Sequence, residues 1–286
     1  MDDTLKIRQT ESTNLNPEQV EFYKTNGYLT IPGAISKTEI DRMKAELPRL
    51  FAAPGPQRVF EDDGVTIRSV YGCHLESDFW GQIVRDRRLL IPARQLIGDD
   101  VYVYQFKINV KAAQKGDIWE WHQDYVFWLE EDGMPSPQAM TASIFLDDVN
   151  EENGPLSIVP GSHRTGPIVH LSRLSQRDAD WSDVSRGANS PGWTTDLTAS
   201  LKYSISPDVV ERLINSNGIA VPMGIRGTVL FFHPNVIHGS KANRSEHNRT
   251  TALITYNGVH NAPTFPKTRR PAFLVSSDNS PLKPQT

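Results

Sequence analysis

The sequence predicts an antiparallel β-sandwich or jelly roll with a few helices packed outside its sheets. Helical patterns come first in the chain, and short strand-like segments follow them without alternating, so a parallel α/β sheet is disfavoured. These segments are rich in β-branched and aromatic residues and are bounded by Gly, Pro, Asn or Asp, as is typical of strands joined by turns. A chain of 286 residues can also bury a sizeable core.

Two helices are predicted near the start of the chain. Asn16 before Pro17 is an N-cap with proline at the first helical position, which predicts the helix PEQVEFYKTNG. A short strand, YLTIPG, follows it. Ser36 and Glu39 then form a capping box, which predicts a second helix, KTEIDRMKAEL, ending near Pro48.

Strand patterns dominate the rest of the chain. In chain order the predicted strands are VTIRSVYG, DVYVYQFKINVK, IWEWHQDYVFW, MTASIFLDDV, GPLSIVPGS, IAVPMG, GTVLFFHPNVIHGS and TTALITYNG. A polar, tryptophan-bearing stretch at 171–206 interrupts them, and we interpret it as a lid, since long loops in compact domains are usually functional. We expect a single domain over 15–275, with disordered tails at 1–14 and 276–286.

Composition and charge restrict the function classes. The formal net charge of −4 gives no basic excess of the kind that favours nucleic-acid binding. No stretch approaches the ~18 apolar residues of a membrane span, and the polar N-terminal stretch does not resemble a signal peptide. The single cysteine, Cys73, cannot form an internal disulfide. We therefore expect a soluble cytoplasmic protein, a monomer or homodimer, that binds a small-molecule substrate and neither nucleic acid nor membrane.

The stretch WEWHQDYVFWLEEDGMP places His122 and Asp124 two residues apart. With 8 histidines and 34 acidic residues in the chain, chance alone predicts such a triplet, and His74 with Glu76 makes another. The spacing alone therefore decides nothing. We interpret His74 and Glu76 as a surface or pocket-wall feature, and the acidic run 130–132 as a solvated turn.

A metal site would explain the pairing of His122 with Asp124. Non-haem iron(II) is commonly held by two imidazoles and one carboxylate, which leave positions open for substrate and O2. Residues two apart on a strand point to the same face, so His122 and Asp124 can both point into a barrel. The second imidazole must come from a distant strand, and His238 is the best candidate. His233 competes for this role, and we interpret it as a packed histidine.

Arg249 begins the strand after His238, so a hairpin can bring both side chains into the same barrel. The planar guanidinium can bind one end of a dicarboxylate through two charge-assisted hydrogen bonds. If the other end is a 2-oxo acid, it can chelate the iron. The pattern therefore favours a joint site for iron and a 2-oxo dicarboxylic acid.

This pattern resembles the iron(II)/2-oxoglutarate-dependent dioxygenases of the phytanoyl-CoA dioxygenase type. The segments NGYLTIPGAIS and GPLSIVPGSH are similar to that family's N-terminal helix–strand opening and to one of its strand–turn segments, so the resemblance covers residues 17–258. The run WHQDYVFWLEEDGMPSPQAMTASIFLDDVN and the strand YQFKIN are similar to the signature of the ectoine hydroxylases.

The resemblance implies a fold, a reaction and roles for individual residues. The fold is a double-stranded β-helix, a cupin-like jelly roll that is mostly β with flanking helices. The reaction uses Fe(II), 2-oxoglutarate and O2 to hydroxylate an unactivated C–H bond of a small molecule, releasing succinate and CO2. The implied iron ligands are His122, Asp124 and His238. The implied contacts of 2-oxoglutarate are Arg249, at its C5 carboxylate, and Asn109, Ser143 and Ser240. The implied substrate contacts are Gln105, Lys107 and Trp128.

Two residues depart from the ectoine hydroxylase signature. Phe127 stands where that group has threonine, and Leu129 stands where it has histidine. Both changes make the pocket more apolar, so an amino acid with an aliphatic side chain fits better than ectoine. Asp124 favours hydroxylation over chlorination, because related halogenases lack this carboxylate. Desaturation and ring closure remain open.

Other functions stay open from the sequence. The same chemistry could act on a natural-product scaffold or an acyl-CoA, although nothing suggests the basic groove that CoA phosphates would need. A zinc-dependent hydrolase or isomerase could bind its metal through His122, Asp124 and His238, but such an enzyme would have no role for Arg249. A non-catalytic binding protein on the same fold is disfavoured by the intact ligand set.

Overall fold

Two antiparallel sheets form the centre of the computed structural model, which describes residues 13–168, 201–264 and 270–285. The strands are β1 (Tyr28–Ile31), β2 (Arg58–Phe60), β3 (Ile67–Tyr71), β4 (Val101–Lys111), β5 (Trp119–His122), β6 (Ala139–Phe145), β7 (Leu156–Ile158), β8 (Val229–Phe232), β9 (His238–Ser240) and β10 (Arg249–Gly258). The larger sheet has the order β1-β8-β6-β10-β4-β3-β2, and the smaller one has the order β5-β9-β7.

The helices connect or flank these strands. They are α1 (Pro17–Asn26), α2 (Lys37–Ala52), α3 (Cys73–Glu76), α4 (Asp78–Ile83), α5 (Arg87–Ile97), α6 (Asp124–Phe127) and α7 (Pro207–Asn217). A π-helical turn, Trp128–Asp132, continues α6, and 3-10 turns occupy Ser162–Thr165 and Val259–Asn261. No helix in the described ranges is long and apolar enough to cross a membrane.

The predicted helix starts are confirmed, and one predicted end is wrong. The side chain of Asn16 accepts a hydrogen bond from the Gln19 amide at 2.8 Å and caps α1, and Ser36 caps α2 in the same way. However, α2 continues past Pro48 to Ala52. A proline inside a helix loses one backbone hydrogen bond. Here the helix is held through it by Leu47 and Leu50, which are buried in the core on either side.

Successive side chains of the central strands point alternately into the core and into the candidate site. In β4, Phe106 and Ile108 are buried in the core under α2 and α5, whereas Lys107 and Asn109 line a cavity on the other face. The same alternation places Ala252 and Ile254 of β10 in the core. Successive residues of a strand point to opposite faces. The helices therefore cover one face of the larger sheet, and the other face is available for a site.

Three predicted strands differ from the structure, and one of them, GTVLFFHPNVIHGS, divides into β8 of the larger sheet and β9 of the smaller sheet. The segment IWEWHQDYVFW is a strand only from Trp119 to His122, after which the chain turns into α6 and the π-helical turn. The segment IAVPMG does not form a continuous strand. It makes two isolated β-bridges, from Ala220 to Ile158 and from Gly224 to Val149. Its prolyl residue cannot donate to a ladder, which limits pairing there.

The C-terminal segment is packed where a disordered tail was predicted. The Ser276 amide donates to the Tyr104 carbonyl at 2.9 Å, and the Leu282 amide donates to the Val101 carbonyl at 2.9 Å. Leu282 is buried. The segment is therefore held by the burial of Leu282 and by hydrogen bonds to the backbone of β4. The polar composition of the segment does not indicate either contact. Most of the predicted lid and N-terminal tail, residues 169–200 and 1–12, lie outside the described residues.

Candidate metal centre and its two cavities

His122, Asp124 and His238 come together where β5 pairs with β9. His122 and His238 are register partners in that pair, and their ring centroids are 4.2 Å apart. The Asp124 Oδ1 atom lies 3.5 Å from His122 Nε2 and 4.0 Å from His238 Nε2. One possible ligand atom from each of the three residues lies within 4.8 Å of the others. The spacing suits three ligands of one metal ion.

Backbone carbonyls orient both imidazoles toward this centre. His122 Nδ1 is 2.6 Å from the Glu120 carbonyl, and His238 Nδ1 is 2.9 Å from the Val236 carbonyl. Because a carbonyl only accepts, each Nδ1 carries the proton and donates it. Each Nε2 therefore keeps a lone pair directed at the centre, as metal-ligating histidines require.

Asp124 reaches the centre from α6 and not from the predicted strand. It is the first residue of that helix, and the Tyr125 amide donates to the Pro234 carbonyl at 3.1 Å. The side chain of Gln123, fully buried, donates to the Asn235 carbonyl at 2.7 Å. These two contacts fix the turn between His122 and Asp124 against the segment before His238. The prediction that both residues share a strand face was wrong, although they do meet.

Burial and neighbouring groups hold His238 and Asp124 in the protonation states that bind a metal ion. Burial, followed by the nearby His122, lowers the pKa of His238 to about 4, so its imidazole is neutral near pH 7. Burial raises the pKa of Asp124, but its polar and charged neighbours, among them the Lys107 ammonium, outweigh this effect and lower that pKa overall. A neutral imidazole and a carboxylate are the forms that bind divalent metals.

This donor set fits a non-haem iron site. Two imidazole nitrogens and one carboxylate occupy one side of a metal ion and leave positions open for other ligands. Two cavities adjoin the centre and share four lining residues, which are Lys107, Trp119, His122 and Asp124. Molecules bound in the two cavities would therefore meet at the metal.

We call the first of these the sheet cavity, because the strands of both sheets line it. It has an empty volume of about 590 Å³. Four residues predicted to contact 2-oxoglutarate line it, and these are Asn109, Ser143, Ser240 and Arg249. The Ser240 hydroxyl and Arg249 Nε are buried without a hydrogen-bond partner among the described residues. Burial lowers the pKa of Arg249 to about 10, and the group stays cationic near pH 7. An unsatisfied buried cation and hydroxyl fit an anionic ligand.

We call the second the loop cavity, because α6, the following turn and two irregular segments supply much of its wall. Its empty volume is about 380 Å³. The predicted substrate contacts Gln105, Lys107 and Trp128 line it. Phe127 lines it too, whereas Leu129 packs beside it among apolar neighbours. Of the two departures from the ectoine hydroxylase signature, only Phe127 therefore changes the cavity wall.

The two cations of the loop cavity differ in their pairing. Arg270 is ion-paired with buried Asp132, with Nε donating to Oδ1 at 2.8 Å, and Tyr104 also donates to Asp132. Lys107 Nζ has no hydrogen-bond or ion-pair partner within the described ranges and lies 5.8 Å from the Trp119 ring centroid. Burial lowers the pKa of Lys107 overall, although the nearby charge of Asp124 opposes this shift. Lys107 is thus the cation available to a ligand.

Sequence reasoning missed several of these residues. The run 130–132 is not a solvated turn, because Asp132 is buried against Arg270 and Glu131 accepts a hydrogen bond from Lys202 at 2.7 Å. Tyr71, Leu201 and Arg270 line the loop cavity but lie in segments without a recognisable motif. An acidic run beside a predicted site could have prompted a search for a buried partner.

The other histidines within residues 13–168, 201–264 and 270–285 are not part of this cluster. His233 and His163 stack at 5.1 Å between ring centroids, and the Asn235 amide donates to His233 Nδ1. This confirms the interpretation of His233 as a packed histidine. His74 packs against Phe106 with ring centroids 5.6 Å apart.

Comparisons with known proteins agree with this geometry. The family model described as phytanoyl-CoA dioxygenase (PhyH) matches residues 23–251. An L-proline trans-4-hydroxylase of Streptomyces griseoviridis is 37% identical, over 92% of this chain and 93% of that protein. An ectoine dioxygenase of Bordetella bronchiseptica is 34% identical, over 88% of this chain and 79% of that protein.

Solved structures extend the agreement to the fold. The crystal structure of EctD from S. alaskensis with 2-oxoglutarate and 5-hydroxyectoine superposes with a TM-score of 0.78 at 27% identity, covering 96% of this chain and 89% of that one. A structure of the same protein with bound Fe gives the same TM-score. The prediction of a jelly-roll fold with flanking helices is confirmed.

Proposed function

This chain belongs to the phytanoyl-CoA dioxygenase family and is an iron(II)- and 2-oxoglutarate-dependent dioxygenase, and we propose that it hydroxylates a free amino acid with a compact aliphatic side chain. L-Proline is the first candidate, because the relative from Streptomyces griseoviridis is named for that substrate. The observation that carries the proposal is the unpaired ammonium of Lys107 in a small, aromatic-walled cavity that reaches the metal centre.

In this proposal His122, Asp124 and His238 hold the iron, and Arg249 pairs with the distal carboxylate of 2-oxoglutarate in the sheet cavity. Bound Fe(II) and 2-oxoglutarate supply the oxidation, in which one atom of O2 enters the substrate as a hydroxyl and the other enters succinate, with loss of CO2. The polar groups of Asn109, Ser143 and Ser240 line the remainder of that cavity and orient the cosubstrate.

Lys107 is proposed to bind the carboxylate of the amino acid. A cation with no partner is costly in an enclosed cavity, and a carboxylate ligand offsets that cost. Arg270 is less suitable, because Asp132 already neutralises it. Phe127 and Trp128 then contact the aliphatic part of the substrate, and Gln105 lies beside them with its amide donating to the Leu274 carbonyl at 2.9 Å.

The charges of the loop cavity argue against an acyl-CoA substrate. Lys107 and Arg270 line this cavity, and Asp132 already neutralises Arg270. The phosphates of CoA would need a larger basic surface. The zinc hydrolase alternative gives Arg249 no ligand, so we set it aside.

The test is a screen of free amino acids with the Fe(II)-loaded protein, 2-oxoglutarate and O2. We expect one compact aliphatic amino acid, with L-proline first, to give equal amounts of succinate and a product 16 mass units heavier, the mass of one oxygen atom. Lys107→Met should lose this product, whereas Lys115→Met, which removes a surface lysine, should retain it. If no free amino acid yields a hydroxylated product while ectoine or a larger compound does, the proposed substrate class is wrong.

A further inference from the structure

We propose that Arg68 is a positioning residue that fixes the ring of Trp119 as a partition between the sheet cavity and the loop cavity. The inference rests on the proposed function, because it assigns the cosubstrate to one cavity and the amino acid to the other.

Trp119 occupies the boundary between the two cavities. It opens β5, where it pairs with Ser240 of β9, and its side chain lines both cavities. Of the four residues that line both, two are metal ligands and one is Lys107, so Trp119 contributes the large apolar surface. A ring that lines both cavities lies between the ligands that they would hold.

Arg68 holds this ring by stacking. Its guanidinium carbon lies 3.8 Å from the centroid of the Trp119 ring, and the side chain is only 2% exposed. A guanidinium over an indole face at this distance is a favourable cation–π contact, and it is stronger when shielded from water. The ring is therefore packed against a rigid, charged plane and not against a mobile aliphatic chain.

The guanidinium is itself fixed to the chain around Trp119. Arg68 donates to the Glu61 carboxylate at 2.8 Å and to the Ile118 carbonyl at 2.7 Å. Glu61 in turn accepts a hydrogen bond from the Asp117 amide at 3.2 Å. The pair Arg68–Glu61 therefore binds the two residues directly before Trp119 as well as its ring. Both the backbone and the side chain of the partition depend on this one ion pair.

A displaced ring would have a defined chemical consequence. The two cavities would merge beside the metal, and water could reach the centre from the loop cavity. Lys107, whose ammonium lies 5.8 Å from the same ring, would also lose a neighbour. Oxidation of 2-oxoglutarate would then proceed without hydroxylation of the amino acid. The ratio of product to succinate therefore reports on the partition.

The experiment compares Arg68→Met and Arg68→Lys with Arg58→Met and Trp119→Phe. Arg58 is a matched control, because it also stacks on an aromatic ring, that of Phe60 at 5.5 Å, but lines neither cavity. The first readout is near-ultraviolet circular dichroism, in which the difference between the parent and Trp119→Phe isolates the contribution of that ring. The second is the product-to-succinate ratio of the iron-loaded enzyme.

We expect Arg68→Met to lose most of the Trp119 dichroism and to lower the product-to-succinate ratio about tenfold, since small displacements in an active site carry large rate costs. Arg68→Lys should show a smaller loss of both, and Arg58→Met should match the parent. Arg68→Lys decides the matter if Arg68→Met does not fold.

Three results would overturn the inference. The first is a parent-like Trp119 dichroism in folded Arg68 variants. The second is an unchanged product-to-succinate ratio in a variant that has lost this dichroism. The third is a fall of the product-to-succinate ratio in Arg58→Met that equals the fall in Arg68→Met. The dichroism needs neither iron nor substrate. If no amino acid is hydroxylated, the proposed function fails, and the dichroism still decides whether Arg68 positions Trp119.

Discussion

The sheet cavity and the loop cavity meet at one metal centre but are built in different ways. The sheet cavity is lined by regular strands, with Arg249 at the start of β10 and Ser143 in the middle of β6. The loop cavity takes much of its wall from a short helix, a π-helical turn and the segments that contain Leu201 and Arg270. Hydrogen-bonded strands tolerate little local change, whereas irregular segments tolerate more. This difference suits an invariant cosubstrate in one cavity and a variable substrate in the other.

The two cavities also differ in their free charge. Within the described residues, the unpaired cation Arg249 lines only the sheet cavity, whereas the unpaired cation Lys107 lines both cavities beside the metal centre. Arginine offers a planar fork for both oxygens of a carboxylate, whereas lysine offers a compact point charge. Removing each cation should therefore affect a different ligand.

Removing Asp124 should disable both cavities together, because it lines both and is one of the three proposed metal ligands. Asp124→Ala should give no product or succinate above background and should retain no iron after desalting, because two imidazoles alone bind Fe(II) weakly. Asp148→Asn, which changes a surface carboxylate paired with Arg226, is the control. Parent-like turnover in Asp124→Ala would show that this carboxylate is not a ligand.

Arg249→Ala should affect only the sheet cavity. Loss of the buried cation should raise the concentration of 2-oxoglutarate needed for half-maximal binding about a hundredfold. The KM for the amino acid, measured at saturating 2-oxoglutarate, should stay within about threefold of the parent. A variant with unchanged 2-oxoglutarate affinity would remove the assignment of this cavity to the cosubstrate.

Lys107→Met should have the opposite pattern. A lost charge-assisted hydrogen bond should raise the KM for the amino acid about thirtyfold, with little change in 2-oxoglutarate affinity. Steady-state kinetics with each ligand varied in turn will separate the two effects. A rise confined to 2-oxoglutarate would mean that Lys107 serves the sheet cavity instead.

The two departures from the ectoine hydroxylase signature should differ in effect. Phe127→Thr removes part of the loop-cavity wall and should lower the kcat/KM for a compact amino acid about tenfold. Leu129 lies outside that wall, so Leu129→Gln should change kcat/KM less than about threefold. Equal losses in the two variants would contradict the placement of Leu129 beside the cavity.

The smallest effect is expected outside both cavities, at His233. Burial, followed by the charge of His163, lowers the pKa of His233 to about 3 from an unfolded value of about 6.5. Between these values the unfolded chain binds the extra proton, so the free energy of unfolding falls as the pH decreases, by at most about 1.4 kcal/mol per pH unit from this group.

His233→Asn, whose side chain can still accept a hydrogen bond from the Asn235 amide, should reduce the dependence of the free energy of unfolding on pH between pH 6 and pH 5, while leaving kcat/KM at pH 7 near the parent value. Denaturant titrations at the two pH values will measure the slope. An unchanged slope would show that His233 is not buried in its neutral form.

The sequence was informative where a residue's role is tied to its local pattern. The caps at Asn16 and Ser36, the spacing of His122 and Asp124, and Arg249 at the start of a strand were all predictable in this way. The turn that carries Asp124 was predicted as a strand, because its aromatic and β-branched residues have high β-propensity while its tertiary contacts favour a helix.

The rest depends on partners that lie far apart in the chain. Asp132 is separated from Arg270 by 138 residues, and Arg68 lies 50 residues before Ile118. A single sequence contains no local pattern that links such residues. The position of Arg270 in the wall of the loop cavity and the support of the Trp119 ring by Arg68 could therefore not be predicted.

The most direct measurement compares the amino acid that gives most product with its carboxamide, in the parent and in Lys107→Met. We predict that the parent prefers the acid about thirtyfold in kcat/KM, and that Lys107→Met reduces this preference to within about threefold. A preference that persists unchanged in Lys107→Met, or a carboxamide that reacts as well as the acid in the parent, would contradict the claim that Lys107 recognises an amino-acid carboxylate.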